Sequence, residues 1–192
     1  MRRLFIFSLI FVSISALSFA QPQKEKPKTK ILLMISEQNI QGPSTRWWLS
    51  EVDLSTIESN LARLLIEHGY QIIEPSVVNK IIKRERPLRV VDLKDKDVVR
   101  LGKLSNVDYV VLGKAVASAG SNVLGSNMRS CFANVTVKLI RVKDGVVIAY
   151  LDSIGSTVHT DVITGGKEAL ANASVDLAAK IISNLNKEEV NK

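Results

Sequence analysis

The chain is predicted to fold as one compact α+β domain, a mixed β-sheet with helices packed on it and a long C-terminal helix. Three observations predict this. Apolar runs of strand length alternate with amphipathic helical segments through the first half. In the second half, two strand-like segments flank Lys143-Asp144-Gly145, a strong hairpin turn. The last long segment carries Leu170, Ala173, Leu177, Ile181 and Leu185 on one helical stripe.

An export leader precedes the domain. Arg2 and Arg3 form a positive start, Leu4 to Leu17 an apolar run, and Ser18-Phe19-Ala20 a small-x-small cleavage site, so residues 1–20 read as a secretory signal peptide. The run is short of the about 20 residues a membrane span needs, and an uncleaved anchor is the alternative reading. No cysteine near the cut permits lipid attachment. The mature protein is therefore expected to be periplasmic and not integral to a membrane. Residues 21–29, polar and Lys-rich with two prolines, read as a flexible linker, 30–187 as the single domain, and 188–192 as a tail.

The composition is globular, 46% hydrophobic with few aromatics. Cys131 is the only cysteine, so no intramolecular disulfide helps to hold the fold. It reads as a buried small hydrophobe, with a free reactive thiol as the alternative. The net charge is +7, and it is regional: Lys80 to Lys103 holds nine cations against four anions.

The elements follow in order. "KILLMIS", from Lys30, is a continuous apolar strand suited to burial on both faces. "EQNIQGPSTRWWLSE" contains Gly42-Pro43 and reads as a loop. Ser55 and Glu58 make a capping box for a helix whose inner face holds Ile57, Leu61, Leu64, Leu65 and His68, closed by Gly69. "YQIIE" is a strand stopped by Pro75. Ser76 is expected to cap a short helix with Val77, Val78, Ile81 and Ile82 inward, ended by Pro87. "LRVVDL" is extended, and Asp95 is expected to cap a helix to about Leu104, with Val98, Leu101 and Leu104 inward and Asn106 as its stop. Asp108 to Ala115 is a buried strand, and Ser118 to Ser130 a flexible Gly/Ser/Asn loop. "CFANVTVKLIRV" alternates, with Val135, Val137 and Leu139 on one face and Asn134, Thr136 and Lys138 on the other. "VVIAYLDSIGSTVH" is the returning strand, and the last helix starts near Thr164.

Three Gly-Lys pairs raise the question of phosphate binding. A phosphate loop needs a strand, a glycine turn and a helix in that order, so that free N–H groups face the anion. Gly102-Lys103 lies inside a helix, and Gly113-Lys114 lies within a strand, where glycine permits a close backbone approach. Gly165-Gly166-Lys167 has the right order but lacks the fuller pattern, and reads as a helix N-cap.

"LARLLIEHGYQIIEPSVVNKIIKRE", "VVRLGKLSNVDYVVLGKA" and "VKLIRVKDGVVIA", taken in this order, resemble one superfamily. Its members include the curli-export lipoprotein, the amino-terminal domain of the Tol-Pal propeller protein, the activator lipoprotein of penicillin-binding proteins and the middle domain of flagellar assembly protein T. The similarity spans roughly Lys30 to Leu185, and "TGGKEALANASVDLAAKII" resembles the flagellar and small-lipoprotein branch. The resemblance implies an α+β sandwich in a Gram-negative envelope with a non-enzymatic binding or assembly role. Two departures stand out: residues 117–130 are too short and polar for a membrane-spanning hairpin, and the lipid-bearing cysteine is absent.

No catalytic, metal-binding or cofactor-binding residue is assigned. His68 sits at a helix end and His159 beside Asp161, too few ligands for a metal. The candidate partner-binding residues are surfaces. Arg46, Trp47 and Trp48 share a loop, and adjacent rings in extended backbone point opposite ways, which leaves one for a partner. The alternative is that the pair caps the sheet's edge. Lys83, Arg84, Arg86 and Arg89, with Lys96 and Arg100, form a second candidate that would steer an acidic partner. The partners expected are an envelope protein, a second copy of the chain, or an anionic envelope surface. Nucleic acid is excluded by the export leader and the lack of a binding motif. A periplasmic small-molecule or glycan-binding protein, using "GPSTRWW" as a lid, is the alternative function.

Overall fold

The structure, a computed structural model, describes residues 28–41, 55–73, 75–85 and 94–190. The apolar run after Lys30 becomes β1 (Lys30–Gln38), with Ile31 to Ile35 all buried because helices cover both its faces. The remaining elements are α1 (Thr56–Glu67), β2 (Gln71–Ile72), α2 (Pro75–Arg84), α3 (Asp95–Leu104), β3 (Tyr109–Asn122), β4 (Arg129–Arg141), β5 (Val147–His159) and α4 (Val162–Val190). The sheet order is β2-β1-β3-β4-β5, parallel across β2, β1 and β3 and antiparallel across β3, β4 and β5. This is the mixed sheet with a long C-terminal helix that the sequence predicts.

Two cores form on opposite faces. Ile31, Leu33 and Ile35 meet Val111, Val135 and Val137 beneath α1 and α4, whose stripe from Leu170 to Leu185 is fully buried. Leu32, Met34, Val110 and Ile140 meet α2 and α3 on the other face. The expected helical faces hold at Ile57, Leu61, Leu65, Val78, Ile82, Val98 and Leu101. They fail at Val77, Leu104 and His68, which are exposed. Each lies toward a helix end, past the edge of the sheet surface the helix covers.

Glutamates tie α1 to β1. Since β2 is only two residues long, β1 has no strand neighbour at Ile35 on that side among the described residues. The Ile35 N–H instead donates to Glu58 Oε1 at 2.6 Å, while Glu58 Oε2 accepts from the Ser55 N–H and hydroxyl. In return Glu37 of β1 accepts the Ile57 N–H at 2.8 Å. The capping box is thus present, and its glutamate also closes a sheet edge.

Several local expectations are corrected. Residues 118–122 continue β3, so the loop shrinks to a turn at 123–128, closed by Val123 N–H to Met128 O at 2.9 Å. Small polar residues are weak strand formers, but pairing with β4 carries them. "YQIIE" pairs only at Gln71 and Ile72. Ser76 lies inside α2, which begins at Pro75. Lys94 is the N-cap residue of α3, and Asp95 lies in the first turn and is ion-paired with Lys138. Gly165 and Gly166 do not cap α4. Asp161 does, accepting the Thr164 N–H at 2.8 Å and its hydroxyl at 2.6 Å. The glycines sit in the first turns because a Cβ at Gly165 would lie 2.6 Å from Cys131 Sγ.

α4 crosses β5 at close range. A Cβ on Gly155 would stand 1.9 Å from Ala169 O, and the Ser153 hydroxyl donates to Ala173 O at 2.7 Å. Gly155→Ala should therefore lower stability by about 3 kcal/mol, read from the urea midpoint, against less than about 0.5 kcal/mol for Ser156→Ala on the open face.

The Asp161 carboxyl is held below its usual range, first by the Thr164 hydroxyl and then by backbone N–H groups. A depressed folded-state pKa stabilises above the unfolded value, and that contribution is lost as pH falls through the folded one. The stability gap between the parent and Asp161→Ala should hold constant above about pH 5 and close below about pH 3.9, in urea titrations at stepped pH.

Candidate functional site

Among the described residues, the second sheet face is only half covered. α2 and α3 occupy one end, and the ion pair from Lys138 to Asp95 marks where α3 begins. Beyond it, the alternation that buries Ala133, Val135 and Val137 turns every other side chain of β3, β4 and β5 outward. Strand register sets these in rows: Lys114, Thr136 and Asp152, then Val116, Asn134 and Ile154, then Ser118, Phe132 and Ser156. Tyr150 is 76% exposed and Ile154 68%, and Val116, Phe132 and Val158 are exposed as well. Phe132 is oriented by Gly120, whose missing Cβ would lie 2.7 Å from the ring.

The turn at 123–128 extends this surface. Leu124 is fully exposed, flanked by exposed Val123 and Met128. The turn is held by Ser126 N–H to Val123 O at 3.1 Å and by Arg129 to Gly120 O at 3.3 Å. Apolar side chains fixed on a hydrogen-bonded scaffold lose little entropy on docking.

Of the predicted partner-binding residues, Lys83 and Arg84 are exposed at the end of α2. Arg46, Trp47, Trp48, Arg86 and Arg89 lie outside the described residues. Arg100 pairs with Glu85 at 2.5 Å, which commits its charge. A cavity of about 300 Å³ opens at the far end of the sheet, lined by Lys103, Asn106, Asp108, Tyr109, Arg141 and Lys143. Its charges are largely committed. Asp108 accepts the Lys30 N–H at 2.8 Å, and Arg141 binds Asp144 and Glu188, which holds the Asp144 carboxyl below its ordinary range.

Among the described residues no group of three His, Cys, Asp or Glu is placed to hold a metal, and no helix is long and apolar enough to cross a membrane. The three Gly-Lys pairs punctuate the fold. Gly102 brings α3 onto Val142, and Gly113 sits against the Thr136 and Val137 backbone.

The open face escaped the sequence reading, yet it leaves a signal. In "AYLDSIGSTV" the large apolar residues Tyr150, Ile154 and Val158 share one phase, while Ser153 and Gly155 occupy the phase beneath α4. The usual pattern is inverted, because close helix packing demands small residues on the inner side.

No protein-family model matches the chain, and no curated protein matches it. Solved structures do resemble it. The chain is 14% identical to lipoprotein GNA1162 from Neisseria meningitidis, covering 85% of this chain and 99% of that one, TM-score 0.46. For the LpoB C-terminal domain from Salmonella enterica the figures are 12%, 67% and 82%, TM-score 0.41. For the PelC dodecamer from Paraburkholderia phytofirmans they are 16%, 82% and 86%, TM-score 0.40. The activator lipoprotein of penicillin-binding proteins, one of the families the sequence resembles, is among these neighbours. Likenesses this distant assign neither family nor activity.

Burial pushes the Cys131 thiol above its usual pKa, against a smaller opposing pull from Arg129. A buried, protonated thiol is a poor nucleophile. Ellman's reagent should label Cys131 at least about a hundredfold more slowly in the native protein than in urea, since access requires opening of the fold.

Proposed function

We propose that this chain is an exported, non-enzymatic binding and assembly module of the bacterial cell envelope, which docks a protein partner through the open half of its sheet. The observation that carries this reading is the set of Val116, Phe132, Tyr150, Ile154 and Val158, outward-facing on three paired strands with no helix over them among the described residues. Export rests on the leader at residues 1–20. A flagellar or outer-membrane setting is the finer form of the proposal, suggested by the superfamily resemblance.

The face suits a protein partner better than a small ligand. It mixes apolar groups with Asn134, Thr136 and Ser156, and its strands fix the spacing of each side chain. Lys83, Arg84, Arg86 and Arg89 are proposed as a steering surface toward an acidic partner or anionic envelope, and Arg46, Trp47 and Trp48 as further partner contacts. Charges of this kind raise association rates more than they raise final affinity. Glycan or small-molecule binding remains the second function proposed from the sequence, with "GPSTRWW" as its lid.

Ile154→Asp should leave the urea midpoint within about 0.5 kcal/mol of the parent, because the side chain already faces water. The same change should abolish recovery of the partner that the parent cross-links in envelope fractions. Lys83→Glu with Arg84→Glu should instead slow capture and make it less sensitive to salt. Undiminished recovery by Ile154→Asp removes the open face as the docking surface.

A further inference from the structure

β5 ends the sheet, and its outer edge has no strand beside it among the described residues. It is thirteen residues long and contains no lysine, arginine or proline, the residues that ordinarily spoil an edge, and Asp152 is its only acidic residue. Along an antiparallel edge strand every second residue turns both backbone groups outward. On β5 these are Tyr150, Asp152, Ile154, Ser156 and Val158, as shown by the two carbonyls of this set that α4 reaches.

Lys180 Nζ donates to Asp152 O at 2.8 Å, and Asn172 Nδ2 donates to Ser156 O at 2.9 Å. The spacings match. Eight residues of helix span about 12 Å, and four residues of strand about 13 Å. α4 runs antiparallel to β5, so the later helix residue meets the earlier strand residue. Lys180 is held in place by Asp176 at 2.7 Å.

We infer that Lys180 and Asn172 are edge guards: their caps on Asp152 O and Ser156 O keep β5 from pairing with β5 of a second copy. The edge itself is self-complementary. A two-fold centred on Ile154 sets Tyr150 against Val158 of the second copy and Ile154 against its equivalent. It sets Asp152 against Ser156, so no like charges meet. In that register the Asp152 carbonyl would accept from Ser156 N–H of the second copy, and the reverse. Counting both copies, the guards therefore occupy the acceptors of four hydrogen bonds, two from each Asp152–Ser156 pairing. Pairing must first displace an ammonium and an amide from carbonyls they already satisfy, so at these positions the intermolecular bonds replace existing ones and add little to the association.

The test compares the parent with Lys180→Met/Asn172→Ala by analytical ultracentrifugation, with far-UV circular dichroism to confirm folding. The double variant should dimerise with an apparent dissociation constant at least about tenfold below that of the parent. Adding Ile154→Lys to it should return the protein to monomer. In a Cys131→Ala background, Ile154→Cys should form an intermolecular disulfide only when the guards are removed. The inference is overturned if the double variant sediments as the parent does. It is equally overturned if its association survives Ile154→Lys, or if Ile154→Cys cross-links with the guards intact.

Discussion

The close approach of α4 to β5 organises this molecule. At Gly155 the helix backbone stands where a Cβ would be, and the Ser153 hydroxyl closes on Ala173 O. That contact admits only small residues on the inner phase of the strand. It lays the stripe from Leu170 to Leu185 across the sheet and commits one face entirely to α1 and α4. It also brings Lys180 and Asn172 within reach of the strand's outer carbonyls. A helix held farther away would bury the same stripe less completely and leave those carbonyls to water.

The layers that result are unequal. One face carries a 29-residue helix and α1, whereas the other carries two helices of ten residues each. α2 and α3 cover the end where β1 lies, and no other described element lies over the distal halves of β3, β4 and β5. Coverage at the β1 side is reinforced by a side chain: Glu58 supplies the acceptor that β2 is too short to offer. Burying a carboxylate there is tolerable because it accepts hydrogen bonds from Ile35, Ser55 N–H and the Ser55 hydroxyl.

Much of the fold was legible in the sequence, because periodicity and capping chemistry are local. Ser55 with Glu58, Gly69 at φ +89°, Asn106 at φ +53° and Gly145 at φ +76° all lie where backbone rules put them. The failures were tertiary. Ser118 to Asn122 look like a loop, and become strand because β4 offers partners. Gly165 and Gly166 look like a cap, and are helical because Cys131 and Asn39 crowd them. Of the candidate partner surface, Lys83 and Arg84 could be read as solvent-facing, but whether a sheet face stays bare depends on helix lengths that no single strand encodes. Phe132 could not be distinguished from a core residue without knowing that no described helix covers it.

The two unpaired surfaces of the sheet differ in what they can recognise. An edge offers N–H and C=O groups, which every polypeptide also carries, so an open edge accepts any extended chain and discriminates little. A face offers side chains, and recognition there depends on Phe132, Tyr150 and Ile154 finding a complementary shape. A module that assembles with a chosen partner gains specificity by satisfying its edge internally and exposing its face. The distribution of hydrogen bonds follows that logic, with caps on Asp152 O and Ser156 O and apolar rows beside them. In the proposed docking mode, selectivity resides in the side chains of three strands, away from the core beneath α4.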